Sequence, residues 1–158
     1  MKVPTHFSGA AGPVLRPRDA AAALIILPGE RYLMQKRDDK PEIFYPGHWC
    51  CFGGAIEQGE PPVETLRREL LEELGLEMPV ATEFATWRFE VPGNQVAFWR
   101  RFFEVRITHE TYEGLTLHEG AEMRAFLAEE LLCNELVASY DSFAVWAHAA
   151  RGRIKPPA

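Results

Sequence analysis

The sequence has little of what several protein classes require. It contains no run of the roughly 18 consecutive apolar residues that a membrane-spanning helix needs, and its opening, MKVPTHFSGAAGPVLRPRD, lacks the apolar centre of a secretory signal. A soluble, cytoplasmic protein is the expectation. Positive charge is scarce: 17 Lys and Arg stand against 23 Asp and Glu, the net charge is −6, and the nearest approach to a basic cluster is the pair Arg100 and Arg101. That balance argues against steering towards bulk nucleic acid and leaves small anions, carried with a metal, as partners. There are three cysteines, an odd number; Cys50 and Cys51 are adjacent and poorly placed to bridge each other, and no CxxC spacing or matching His pair accompanies them or Cys133. The thiols are expected to be reduced, buried and structural. No Ser, Cys or His is set up as a nucleophile, and neither an internal repeat nor a low-complexity segment is present.

At 158 residues and 47% hydrophobic content, the chain is one domain in size. The reading is an N-terminal arm over 1–17, a single domain over 18–150 and a C-terminal tail over 151–158. Ala20 to Leu27 is a continuous apolar run that stops at Pro28-Gly29-Glu30, and Arg31 to Arg37 alternates, so the two predict a hairpin. Asp38 to Trp49 reads as an ordered loop that leads to a turn at Gly53-Gly54. Two longer strands, Val80 to Val91 and Gln95 to Ile107, flank the turn residues Pro92-Gly93-Asn94, with Phe98, Trp99, Phe102 and Phe103 expected mostly in the core. Leu115 to Phe126 reads as an acidic loop entering a short strand, Ala128 to Leu132 as a helical turn, and Glu135 to Ala149 as an amphipathic helix. Strands with a central and a terminal helix predict an α/β fold with a mixed sheet between helices.

The stretch GGAIEQGEPPVETLRRELLEELGL, Gly53 to Leu76, carries the chemistry. Pro61 and Pro62 suit a first helical turn that needs no amide donors, and Gly75 suits the left-handed residue after the last turn. Val63, Leu66, Leu70 and Leu74 recur at three- and four-residue spacing as an apolar stripe. Glu69, Glu72 and Glu73, at i, i+3 and i+4, gather three carboxylates on one patch, although like charges repel and acids in a last turn oppose the helix dipole, each by about 0.3–1 kcal/mol. A chain selected for stability alone would place Lys or Arg there. Hard carboxylate oxygens on a rigid helix suit Mg²⁺, with Mn²⁺ as the alternative, because such an ion takes one or two carboxylates plus substrate phosphates and keeps several waters.

From Gly54 the pattern runs Gly, five residues, Glu60, seven residues, Arg68-Glu69, Leu70, one residue, Glu72-Glu73, one residue, Gly75, Leu76. This resembles the Nudix box, G-x5-E-x7-R-E-U-x-E-E-x-G-U, at every specified position; a chance match is on the order of 10⁻¹⁰ per starting point. Many nucleotide-acting members carry a proline before the two glycines, where this chain has Phe52. The resemblance implies a Nudix-type α/β/α sandwich over the domain, with Glu69, Glu72 and Glu73 as metal ligands, the Gly53 carbonyl as a further one and Glu57 as an outer one. It implies that Gly53 and Gly54 let backbone approach a pyrophosphate, and that Arg68 and Glu60 orient the ligands. It also implies a general base from the box or a later loop, where Glu113, Glu119 and Glu122 qualify and the reading favours Glu119 or Glu122.

The implied reaction is Mg²⁺-dependent attack of water on phosphorus in a nucleoside diphosphate linked to another moiety, as in a nucleoside triphosphate or a nucleotide sugar. Arg37, at the end of a strand, is a candidate phosphate contact, and Trp49, Phe44, Tyr45 and His48 are candidate stacking residues for a base or sugar. Two other classes stand beside this one: a non-catalytic nucleotide-binding module on the same fold, and an isomerase resembling the Nudix-fold isopentenyl diphosphate isomerases, suggested by the cysteines beside an aromatic loop. A homodimer is compatible with the sequence, which does not decide the oligomeric state.

Overall fold

Ala20–Leu27 forms β1, the strand to which most of the architecture is anchored. All eight residues are buried because both faces are covered: Ala21, Ala23, Ile25 and Leu27 point into one apolar cluster, and Ala22, Leu24 and Ile26 into another. A strand covered on both sides reads as an unbroken apolar run, which is how it appears in the sequence. The computed structural model describes residues 18–90 and 96–151. The proposed arm over 1–17, the turn Pro92-Gly93-Asn94 and nearly all of the proposed tail lie outside those residues.

β1 pairs antiparallel with β2 (Arg31–Lys36), the hairpin expected from Pro28-Gly29-Glu30. Along its first half β1 pairs with β4 (Phe52–Ala55), Ala22 opposite Gly53 and Ala21 opposite Gly54. On its other edge it runs parallel to β6 (Ala97–Arg106), which pairs antiparallel with β5 (Ala81–Glu90) through a bulge between Glu83 and Ala85. β2 also pairs with β3 (Trp49–Cys50) and β7 (Glu122–Phe126), completing a mixed seven-stranded sheet.

α1 (Pro62–Leu74) covers one face. Leu66, Leu70 and Leu74 are buried with Phe52, Leu33, Phe103 and Val105, and Val63 packs at the margin; each fully buried leucine contributes about 1.5–3 kcal/mol. Gly75 ends the helix at φ 64°, its N–H bonded to the Leu71 carbonyl. The short α3 (Ala128–Leu132) and α4 (Ser139–Ala150) lie on the opposite face, where Leu131, Ala144 and Val145 join Tyr32, Met34, Trp49 and Phe102. A buried ion pair, Arg100 Nη2 to Asp141 Oδ1 at 3.0 Å, ties α4 to β6, and the second Asp141 oxygen accepts from the Cys51 N–H. Helix, mixed sheet and helix give the expected α/β/α sandwich.

Several local expectations change. The residues Gly53-Gly54 form no turn: they lie inside β4, because a glycine pair fits a strand pressed between β1 and α1. Asp38 to Trp49 closes into β3 at its last residue, and β2 stops at Lys36. The terminal helix begins at Ser139, not Glu135, since the backbone before it is engaged elsewhere: the Leu136 carbonyl accepts from Trp49 N–H, and Ala138 N–H donates to the Trp49 carbonyl. A short α2 (His109–Glu113) stands where no helix was expected, capped by the Thr108 side chain accepting from the Thr111 N–H. Trp99 is 48% exposed and so leaves the core its neighbours Phe98 and Phe102 occupy, and Cys133 is exposed whereas Cys50 and Cys51 are buried.

Candidate functional site

The three acids of α1 are held differently. Glu73 turns inward beneath the sheet, 5% exposed: its Oε1 accepts from Gln35 Nε2 at 2.9 Å and its Oε2 from the Gly53 N–H at 3.0 Å. Glu69 lies against Gly54, so closely that a Cβ on Gly54 would overlap its carboxylate. Glu72 is outermost, its side chain 56% exposed. The acids expected as one open patch are therefore graded from buried to solvated, because Glu73 sits where the helix faces β2 and β4.

The glycines have separate duties. Gly53 adopts φ 129°, a backbone region other residues rarely enter, and a Cβ there would overlap the Ala21 carbonyl of β1. Gly54 needs no unusual φ; it is small because Glu69 must fit above it.

Arg68 organises Glu60, Glu69 and Glu72. Nε and Nη2 donate to the two oxygens of Glu60 at 3.1 and 3.2 Å, Nη1 donates to Glu69 Oε1 at 2.7 Å, and Glu72 is reached only at 3.5 Å. Glu72, one helical turn on from Arg68, is thus the weakest partner of the three. Glu60 also accepts from Thr65 Oγ1 at 2.7 Å and from the Glu57 N–H at 3.3 Å, so the loop entering α1 is pinned to the helix. Bonds from Arg68 and Thr65 hold the Glu60 carboxyl down to about 2, whereas burial pushes Glu69 up despite Arg68. Glu73 is pushed to about 7, chiefly by burial, with the nearby charges of Glu69 and Glu119 opposing the two bonds that favour its ionised form.

The loop 114–121 brings Glu119 to this cluster. His118 N–H donates to the Glu73 carbonyl at 2.8 Å, Thr116 N–H to that of Leu74, and Ala121 N–H to that of Lys36, with Gly120 at φ 89° against Lys36 and Gln35. Glu119 contributes to the upward push on both Glu69 and Glu73. Glu122 instead opens β7 opposite Lys36, and Glu113 ends α2; both are exposed.

Arg37 follows β2 directly; its N–H donates to the His48 carbonyl, and its Nε is a buried donor with no hydrogen-bond partner among the described residues. Trp49 is 5% exposed, its ring met by the edge of Phe126 and by the Arg124 guanidinium, so it presents no open face for stacking. Tyr45 bonds Ser139 Oγ at 2.6 Å and packs against Tyr140. Sequence reasoning missed Gln35; its signal was a polar residue within the otherwise apolar run YLMQ of a buried strand.

Among the described residues, no three His, Cys, Asp or Glu side chains converge closely enough to enclose a metal ion. The donor chemistry nonetheless fits a hard divalent cation: Glu69, Glu72 and Glu73 offer carboxylate oxygens beside the backbone of β4, and the two inner acids bear a burial cost that a cation would offset.

Fold and site together define an α/β/α sandwich built round a glycine strand and an acid-bearing helix that form one oxygen-rich site. The family model of the NUDIX domain matches residues 16–147, and the chain belongs to the Nudix hydrolase family. It is 40% identical over 75 residues to the nucleoside triphosphatase NudI of Escherichia coli O139:H28; the match covers 48% of this chain and 51% of that one, so the chain spans about half the length of the curated relatives it matches. In fold it is similar to the MutT protein of Methanosarcina mazei Go1 (TM-score 0.72, 21% identity, 89% of this chain and 98% of that one). A similar match is the NUDIX domain of Shewanella oneidensis NrtR complexed with ADP ribose (TM-score 0.64, 15% identity, 98% and 94%).

Proposed function

We propose that the chain is a Mg²⁺-dependent pyrophosphohydrolase that cleaves a nucleoside diphosphate linked to another moiety, a nucleoside triphosphate or a nucleotide sugar, by attack of water on phosphorus. The observation that carries the reading is the burial of Glu73 against the Gly53 N–H and Gln35, with Glu69 packed over Gly54: two charge-costly carboxylates held side by side against one strand. The intact box and the name of the NudI relatives support the same reaction class.

Glu69, Glu72 and Glu73 hold the cation, with the Gly53 carbonyl and Glu57 as further oxygens. When bound, the cation neutralises charge on the phosphate oxygens and lowers the pKa of water. Arg68 orients Glu69, and Gln35 with the Gly53 N–H orients Glu73. The absence of a side chain at Gly54 lets the Glu69 carboxylate lie against β4, and the diphosphate would approach that carboxylate together with the cation. Arg37, with its unsatisfied buried Nε, is a donor for a phosphate oxygen. Glu119 accepts the proton of the attacking water, a role its charge coupling to Glu69 and Glu73 supports over Glu113 and Glu122. An isomerase using the cysteines is disfavoured: Cys50 and Cys51 are buried and burial pushes both thiols well up, away from the thiolate form.

The test is a panel of nucleoside triphosphates, nucleotide sugars and dinucleoside polyphosphates with Mg²⁺, run with wild type, Glu69→Gln and Glu73→Gln. Release of a nucleoside monophosphate by wild type, lowered by orders of magnitude in both folded variants, is expected. Turnover near the wild-type rate in both variants would remove the metal assignment, and no turnover of any member by wild type would remove the reaction.

A further inference from the structure

A cleft of about 210 Å³, lined by Asp19, Ile56, Thr86, Trp99 and Arg101, is not used by the mechanism above. It lies on the α1 side of the sheet: Trp99 and Arg101 share a face of β6 with Phe103, which is in the α1 core, and Ile56 packs at that core's margin. Ile56 is three residues beyond Gly53, roughly 10 Å at the rise of a strand, and its N–H is bonded to the Asp19 carbonyl at 2.8 Å. The cleft is therefore within the reach of a ribose diphosphate lying along β4.

Its chemistry is specific. Trp99 exposes half of a large ring that burial could have used, and its backbone N–H donates to Asp19 Oδ1 at 2.8 Å, fixing that carboxylate beside the indole. Arg101 is paired with Glu83 only at 3.5 Å and is 42% exposed, so its guanidinium retains free donors. A flat aromatic face, a carboxylate acceptor and a guanidinium donor converge on a space smaller than the roughly 300–1,000 Å³ of sites that take a whole drug-sized ligand. That size suits one planar ring system with its phosphates outside.

We infer that this cleft is the subsite for the nucleobase of the substrate, stacked on Trp99, with an N–H of the base donating to Asp19 and an acceptor on its edge receiving from Arg101. The assignment rests on the pyrophosphohydrolase reading, since that reading places the phosphates beside Glu69 and Glu73, at the edge of β4 that leads to Ile56. Stacking on an aromatic side chain contributes enough per base to change affinity by about tenfold or more.

The experiment is calorimetric titration of the full chain in Mg²⁺ with the four common nucleoside 5′-monophosphates, with ribose 5-phosphate and with inorganic pyrophosphate. Wild type is expected to bind at least one nucleoside monophosphate about tenfold tighter than ribose 5-phosphate. Trp99→Ala is expected to erase that gap, Trp99→Phe to restore part of it, and pyrophosphate affinity to be the same in all three. Should Trp99→Ala fail to fold, Arg101→Ala carries the test, since its side chain is largely solvated and its loss should also narrow the gap. A gap that survives in the folded variants, or no gap in wild type, overturns the subsite. Hydrolysis separates the two claims: a Trp99-dependent gap in a protein that releases no phosphorylated product leaves the subsite standing and removes the reaction, whereas hydrolysis with a gap insensitive to Trp99 removes the subsite alone.

Discussion

Replacing Glu73 by Gln should make the metal-free protein more stable while removing its response to Mg²⁺. Burial holds the Glu73 carboxyl at about 7 against an ordinary value of 4.5. Between those two pH values the native state keeps a proton that the unfolded chain has lost, so the contribution of Glu73 to stability is most favourable below about pH 4.5 and is lost as pH rises through 7. Each pH unit of that interval corresponds to about 1.4 kcal/mol, so the ionised side chain costs the fold up to about 3 kcal/mol at pH 8. A glutamine stays neutral, can still accept from the Gly53 N–H and can donate to a Gln35 turned about its amide. The charge assistance of those bonds is already contained in the value of about 7, and the poorer fit of an amide between the same two partners takes back about 1 kcal/mol, leaving a net gain of about 2 kcal/mol. For a chain of this size the gain corresponds to a rise in Tm of roughly 4–8 °C. The assay is a thermal melt in EDTA at pH 5 and pH 8, repeated in millimolar Mg²⁺. The variant should match wild type near pH 5, exceed it at pH 8 and gain less from Mg²⁺, which favours the native state only in proportion to its binding. A variant less stable than wild type at pH 8 in EDTA would refute the claim that Glu73 is held at an electrostatic cost.

Gly53→Ala and Gly54→Ala should separate backbone from site. The first meets the Ala21 carbonyl and an unfavourable φ and is expected to lose about 2 kcal/mol or more in denaturant melts, whereas the second meets only the movable end of Glu69 and is expected to stay within about 1 kcal/mol while losing most Mg²⁺-dependent turnover. Gln35→Leu leaves a buried Glu73 oxygen without its donor and should cost about 1–3 kcal/mol, with kcat falling more than KM rises; an unchanged kcat would show that Glu73 needs no orienting. A thiol reagent should modify one cysteine quickly in the native protein, Cys133, and three after denaturation, and fast reaction of two or more would contradict the burial of Cys50 and Cys51.

The order of elements around the site was legible because its signals are local. Gly75, Pro61 and Pro62 bracket α1, and the leucine stripe names its buried face without knowledge of the sheet. β1 was legible for the same reason, as an unbroken apolar run. Gly53 and Gly54 were not, since a glycine pair signals a turn unless one knows that Ala21 and Glu69 press on it from either side. The late start of α4 depends on Trp49, far away in sequence, taking the Leu136 and Ala138 backbone into a bridge. Spacing placed Glu69, Glu72 and Glu73 on one patch but could not grade them, because the grading comes from Gln35 and the Gly53 N–H. That Glu119, unlike Glu113 and Glu122, lies beside Glu69 and Glu73 depends on the loop 114–121 being tied to the end of α1, which sequence spacing does not show. Trp49 and Trp99 are a matched pair in this respect: both stand beside other aromatics, and only the packing of Phe126 and Arg124 against one, and of nothing comparable among the described residues against the other, tells which ring is open.

The central claim is that water attacks phosphorus at the Glu69–Glu72–Glu73 site. The most direct measurement is hydrolysis of the best substrate from the panel in ¹⁸O-labelled water with Mg²⁺, followed by mass analysis of both products. The account predicts one label on a phosphate-bearing product, none on a sugar carbon, and no labelled product from Glu73→Gln over the same time. Label on a glycosyl carbon, or phosphate labelling at an undiminished rate in Glu73→Gln, would contradict it.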